Sequence, residues 1–225
     1  MSLQYKNYQG NVDRNTFFFS NYFAWPIHLS FTPEMKLQYV NSRVERIFVK
    51  CPEEYSGDKS KPIAPVNNDN KYIYALSLLK MRKQMEADTN ARVILGGRSS
   101  GFNGFMPGVI EEFIQSSMTG HPIYLLGGFG GAASIITSLI KKEKSVEDVK
   151  MEACKEPRYA DFMTFCRDQG IDMGYGKLKE IVEKGIDCLN NGLENEDNDI
   201  LFQSTDVIEI VGLIIKGLKN TIGDA

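Results

Sequence analysis

"ARVILGGRSSGFNGFMPGVIEEF", Ala91 to Phe113, and "GGFGGAASIITSL", Gly127 to Leu139, decide how this chain is read. In each, glycines give way to a helix-like stretch; the first cluster follows an apolar run within the quotation, the second follows "PIYLL". Arg92 to Leu95 predicts a short buried strand ending at Gly96-Gly97. Pro107 suits the first turn of a helix running through Glu111, Glu112 and Phe113 to Met118 and stopping at Gly120. "PIYLL", Pro122 to Leu126, predicts a second strand, uniformly apolar as in a parallel sheet covered on both faces. A helix from Gly130 to Lys141 completes a βαβ pattern, so the expected class is α/β.

Working outward, residues 1–16 are polar and turn-rich and predict a loosely held arm. Residues 17–31 are aromatic-rich and predict a buried strand or loop. "RVERIFVK", Arg43 to Lys50, alternates as a strand does. The proline- and charge-rich stretch Cys51 to Asn70 predicts a surface loop. Tyr72, Ala75, Leu76, Leu79 and Met85 recur at helical spacing, with Asp69 or Asn70 as N-cap. Beyond Lys144 the pattern is helical: Ser145 caps "VEDVKMEAC", followed by "RYADFMTFCRD", "YGKLKEIVEKGIDCL" and the strongly apolar "DVIEIVGLIIKGLK". "LNNGLENEDNDILFQS" separates the last two, with a tight turn at Asn190-Asn191-Gly192. The expected organisation is an α/β core over residues 1–144 and a helical C-terminal part, packed on the same domain, over 145–225. The opening Met1-Ser2-Leu3 would suit a domain excised from a longer chain.

Composition narrows the function classes. The 225 residues carry a net charge of -3, which gives no global attraction to nucleic acid or an anionic membrane. No apolar run reaches the roughly 18 residues of a membrane span. Cys51, Cys154, Cys166 and Cys188 show no C-x-x-C spacing, and His28 and His121 are the only histidines. No metal site and no cofactor are expected, and the thiols predict free cysteines in a reducing cytoplasm.

The glycine clusters point to a phosphate-bearing ligand. A helix N-terminus presents unpaired N–H groups and partial positive charge, and glycine lets the backbone approach an anion. Two such loops at the ends of neighbouring parallel strands would face one crevice. Gly96, Gly97, Arg98, Ser99, Gly101, Gly104, Met106 and Pro107 form the first candidate loop; Gly127, Gly128, Phe129, Gly130 and Gly131 form the second. Arg98 is placed to pair bidentately with phosphate. Glu111 is the candidate ribose-hydroxyl contact, and Glu111 or Glu112 the candidate catalytic carboxylate if the chain is an enzyme. Ser99 and Ser100 have no base near them in sequence. There is no G-x-x-x-x-G-K-[ST], and "GGFGGA" departs from a dinucleotide fingerprint. His121 and His28 read as structural.

The two glycine motifs resemble those of the SLOG superfamily, the Rossmann-like group that includes Smf/DprA proteins and LOG-type nucleotide phosphoribohydrolases. "GGRSSGFNGFMPG" is similar to, but longer than, the LOG motif GGG-x-x-G-x-M-G, and "LGGFGGAAS" aligns with PGG-x-GT-x-x-E. "NYFAWPIHL", "PGVIEE", "LNNGL" and "DVIEIV" are similar to SLOG-like domains found beside TIR modules in bacterial proteins. The resemblance implies a Rossmann-like parallel sheet flanked by helices, and a first strand upstream of Phe17 is not evident. Ser134 stands where the LOG motif has its acid, and Gly131 where it has threonine. The resemblance therefore implies sensing of a nucleotide derivative such as ADP-ribose or its cyclic form, regulation of a fused or neighbouring TIR-type effector, and homo-oligomerisation. An N-glycosidase or 2-deoxyribosyltransferase-like enzyme is the alternative, and an interaction or oligomerisation module the third reading.

Overall fold

A computed structural model describes residues 19–37 and 44–222; the expected N-terminal arm and any strand upstream of Phe17 lie outside them. The chain is α/β, with parallel strands flanked by helices. Strand β1 (Phe19–Phe23) and a 3-10 turn (Ile27–Ser30) precede helix α1 (Pro33–Leu37) and strand β2 (Val44–Phe48). Then follow α2 (Asn68–Ala87), β3 (Arg92–Leu95), α3 (Gly108–Thr119), β4 (Ile123–Leu126) and α4 (Gly131–Ile140). Helices α5 (Val146–Ala153), α6 (Pro157–Asp168), α7 (Tyr175–Val182), α8 (Asn195–Gln203) and α9 (Val207–Ile222) complete the described chain.

Among the described residues the strands form two parallel ladders, β1 with β2 and β3 with β4. Phe19 pairs with Val44 and Phe23 with Phe48; Arg92 pairs with Ile123 and Leu95 with Leu126. Every residue of β4 is buried, as its uniform apolarity predicts. Strand β3 is not uniformly buried: Arg92 and Ile94 face inward, while Val93 and Leu95 are exposed. The two-residue period of a strand puts Val93 and Leu95 on the face shared with Tyr124 and Leu126. On that face, Leu201 and Ile210 cover only β4.

The core lies on the other face. Ile94, Ile123 and Leu125 meet Ile110, Phe113 and Ile114 of α3 and Ala132, Ala133 and Ile136 of α4. Val146, Val149, Leu178 and Ile181 join the same cluster, so the C-terminal helices share the core of the strands. Each such fully buried large side chain contributes about 1.5–3 kcal/mol.

Local chemistry accounts for the element ends. Asn67, not Asp69 or Asn70, caps α2: its side chain accepts from Asn70 N at 2.8 Å. Ser145 and Asp148 form a capping box at α5. "YGKLKEIVEKGIDCL" is not one helix; α7 ends at Val182, and Gly185 at φ 64° opens a 3-10 turn over Gly185–Leu189. The stretch read as a separator contains α8, which its polar composition hides. Asn198 of α8 is buried because Asn191 donates to its Oδ1 at 2.8 Å and to Ile123 O at 2.9 Å, tying α8 to β4. In α9, Ile210 is buried, whereas Ile208, Val211 and Ile215 remain exposed. No described helix is long and apolar enough to cross a membrane.

Candidate functional site

The two glycine loops meet because α4 is docked onto the end of β3 by its backbone. Ala132 N donates to Gly97 O at 3.0 Å and Ala133 N to Gly96 O at 2.8 Å. Gly131, at φ 64°, lies so close to the first loop that a Cβ there would strike the carbonyl oxygen of Gly97. The first-turn N–H groups of Ala132 and Ala133 are therefore satisfied by the first loop. Gly127 and Gly128 are also packing glycines, since a Cβ on either would meet backbone oxygens at the C-terminal end of α8 (Phe202, Gln203 and Ser204). Gly127 is buried, Gly130 half-buried, and Gly128, Phe129 and Gly131 exposed.

The first loop is held from below. Glu111 accepts from Phe105 N at 2.8 Å and Met106 N at 3.2 Å, and its second oxygen pairs with Arg82 of α2. Gly104, Phe105, Met106 and Pro107 are buried with it. The hydroxyl of Tyr159 donates to Phe105 O and lies 2.8 Å from the Tyr175 hydroxyl. Phe102 packs edge-on against Tyr159, and Glu156 accepts from Gly101 N at 3.1 Å. These partners come from α2, α6 and α7, elements scattered across the sequence.

Above that support the loop is open. Gly97, Arg98, Ser99, Ser100 and Gly101 are exposed, and Gly96 is half-buried. Among the described residues, the backbone N–H groups of Arg98, Ser99 and Ser100 make no hydrogen bond, and the Arg98 guanidinium has no ion pair. Ser134 donates its hydroxyl to Gly131 O at 3.0 Å, bonding back into the first turn of its own helix.

Glu111 is only 3% exposed. Burial pushes its carboxyl up, against the opposing pull of Arg82 and the two backbone N–H groups. Glu112, half-buried, lies 3.8 Å from Arg82 Nε and 3.7 Å from Arg92 Nη1. Arg92 in turn donates to Glu86 at 2.8 Å. Burial raises Glu86, but hydrogen bonds from Ser116, Arg92 and Thr119 outweigh it and hold the carboxyl below its usual range. His121 Nδ1 lies 2.5 Å from Glu86 at the surface end of this chain of charges. The polar ladder thus runs through the α2–α3 interface from the first glycine loop to His121, at the opposite end of β3 and β4.

The structure brings Gly96 and Gly97 of the first loop against Gly131 of the second, with Arg98 exposed beside them. It places Glu111 beneath the loop rather than on its open surface. Sequence reasoning missed Arg82, Glu156 and Tyr159, which position the loop. Arg82 lies in the helical pattern of α2 as an ordinary charged residue, and no local signal distinguishes it. Among the described residues, no group of His, Cys, Asp or Glu could hold a metal ion, and all four cysteines are unpaired.

No curated protein and no solved structure matches the chain. A family model described as "SLOG cluster2" matches residues 1–201, a span that includes both glycine loops and all four strands. The doubled strand–glycine–helix unit and that match together make the chain a member of the SLOG superfamily.

Proposed function

We propose that the protein binds a nucleotide-derived ligand through the first glycine loop and acts as a sensor for it. The observation that carries this reading is the run of N–H groups at Arg98, Ser99 and Ser100, unbonded among the described residues, beside a guanidinium with no ion pair among them. Successive backbone N–H groups in a turn form a concavity suited to phosphate oxygens, and arginine adds a bidentate partner. The loop is pre-organised by Glu111, Tyr159 and Glu156, so little ordering cost falls on binding. ADP-ribose, its cyclic isomers and related nucleotides are the proposed ligands, and a TIR-type module on the same or a neighbouring chain the proposed effector.

Holding is favoured over hydrolysis because both candidate carboxylates are engaged. Glu111 holds the loop and Arg82; Glu112 faces Arg82 and Arg92. The ribose contact expected of Glu111 therefore passes, in this reading, to loop backbone and to Ser99 or Ser100. Isothermal titration calorimetry with ADP-ribose, cyclic ADP-ribose, NAD and AMP tests it. Saturable binding weakened about tenfold or more by Arg98→Ala is expected. Folded protein that binds none of the four would sink the reading, and base release abolished by Glu112→Gln would favour the enzyme instead.

A further inference from the structure

A second opening lies at the C-terminal ends of β1 and β2, outside the glycine loops. It is a cleft of about 460 Å³ whose lining includes Trp25, His28, Phe48, Lys50, Lys59 and Lys80. Three lysines line it against one lining carboxylate, Glu53, in a chain whose net charge is negative. None of the three lysines has a carboxylate within ion-pair distance among the described residues. Lys80 donates to Cys51 O at 3.2 Å, which orients its head toward the cleft wall. Lysines lining one cleft without ion-pair partners give an anion a local positive field.

The apolar half of the cleft is aromatic. Phe48 is 46% exposed, yet it is braced by Phe23 at 5.8 Å and His28 at 5.0 Å between ring centroids. Burial pushes the His28 imidazole down, so it braces Phe48 as a neutral ring. Phe48, part-exposed and with the Arg46 guanidinium 6.0 Å from its ring centroid, offers a planar ring an aromatic contact in a cation-rich setting, and the lysines offer a phosphate its counter-charges.

The cleft and the glycine loop flank one helix. Lys80 and Arg82 of α2 are two residues apart, about 3 Å along the axis and about 200° around it. Lys80 faces the cleft, and Arg82 faces Glu111 beneath the first loop. Both openings therefore lie at the same level of α2, on opposite sides. Open α/β proteins take ligands at the C-terminal ends of their strands, and β1 and β2 end here.

We propose that this cleft is a second ligand site, in which Lys50, Lys59 and Lys80 take the phosphates of a nucleotide-class molecule while its base stacks on Phe48. The site is separate from the glycine loop and does not depend on the reading of that loop. Trp25, the single tryptophan of the chain, lines the cleft and donates its Nε1 to Lys59 O at 3.0 Å. Its emission is thus a built-in reporter for a ligand that draws on Lys59.

The experiment titrates the intact chain with ADP and with inorganic pyrophosphate into the millimolar range, following Trp25 emission. A saturable change is expected for both, with ADP tighter by about tenfold through stacking. Lys59→Ala with Lys80→Ala weakens both by about tenfold or more, and Lys50→Glu, at an exposed position, does the same without touching the core. Phe48→Ala removes the advantage of ADP over pyrophosphate. Arg98→Ala leaves the Trp25 response in place, which separates failure here from failure at the glycine loop. A flat emission trace, a response that survives the lysine substitutions, or one that vanishes with Arg98→Ala overturns the proposal. Equal affinity for ADP and pyrophosphate overturns the role of Phe48.

Discussion

Replacing Gly131 by alanine tests whether the two glycine loops are locked together through their backbones. Two costs arise. Alanine at φ 64° carries the left-handed penalty of about 1–2 kcal/mol. Its Cβ would also strike Gly97 O and come within 2.8 Å of Gly96 C, which are main-chain atoms that no side-chain rotation can clear. Separation of the loops would lengthen the bonds Ala132 N to Gly97 O and Ala133 N to Gly96 O. Losing both adds about 1–3 kcal/mol. Gly96→Ala is the control, because Gly96 has φ 57° but nothing lies within 4 Å of where its methyl group would stand. It carries the backbone penalty alone, and the entropy that alanine removes from the unfolded chain is common to both variants. Urea unfolding followed by circular dichroism should find Gly131→Ala less stable than Gly96→Ala by about 1–3 kcal/mol at unchanged denaturant slope. Equal destabilisation of the two variants would refute the backbone lock.

Two further outcomes bear on the charges beneath the first loop. Arg82→Met strands Glu111 at 3% exposure and should cost about 3–5 kcal/mol, part of which the added Glu111→Leu recovers in a double-mutant cycle. A single-variant cost below about 1 kcal/mol would contradict a charged pair at that position. Glu86 bears on acid stability: its folded-state pKa lies below the ordinary 4.5, so its contribution is present above pH 4.5 and is lost as pH falls through the depressed value. Glu86→Gln should therefore lower stability at neutral pH and flatten the acid limb of a urea-midpoint profile against pH; an acid limb as steep as that of the parent would show that Glu86 does not titrate into it.

The strand–glycine–helix units were legible in sequence because their causes are local. A three-residue apolar run, Val93 to Leu95, a glycine cluster and a proline at the helix start act within a few positions of one another, as does the Ser145–Asp148 capping box. Strand β3 shows the limit: Val93 and Leu95 are as apolar as Ile94 but exposed, since burial depends on what covers each face. Helix α8 shows another, because Asn198 is buried through a partner, Asn191, that lies outside its helix.

By itself, the sequence determined the α/β class, the family resemblance and the position of the first glycine loop, since chain-local geometry specifies them. Only the tertiary structure decided what those residues are free to do. It placed Glu111 under the loop against Arg82, satisfied the start of α4 with the carbonyls of Gly96 and Gly97, and, among the described residues, left the backbone N–H groups of Arg98, Ser99 and Ser100 unbonded. It also gathered Lys50, Lys59 and Lys80 around one cleft from a strand end, a loop and a helix. Hydrogen bonds and charge pairs form between groups adjacent in space, and sequence order carries no record of that adjacency.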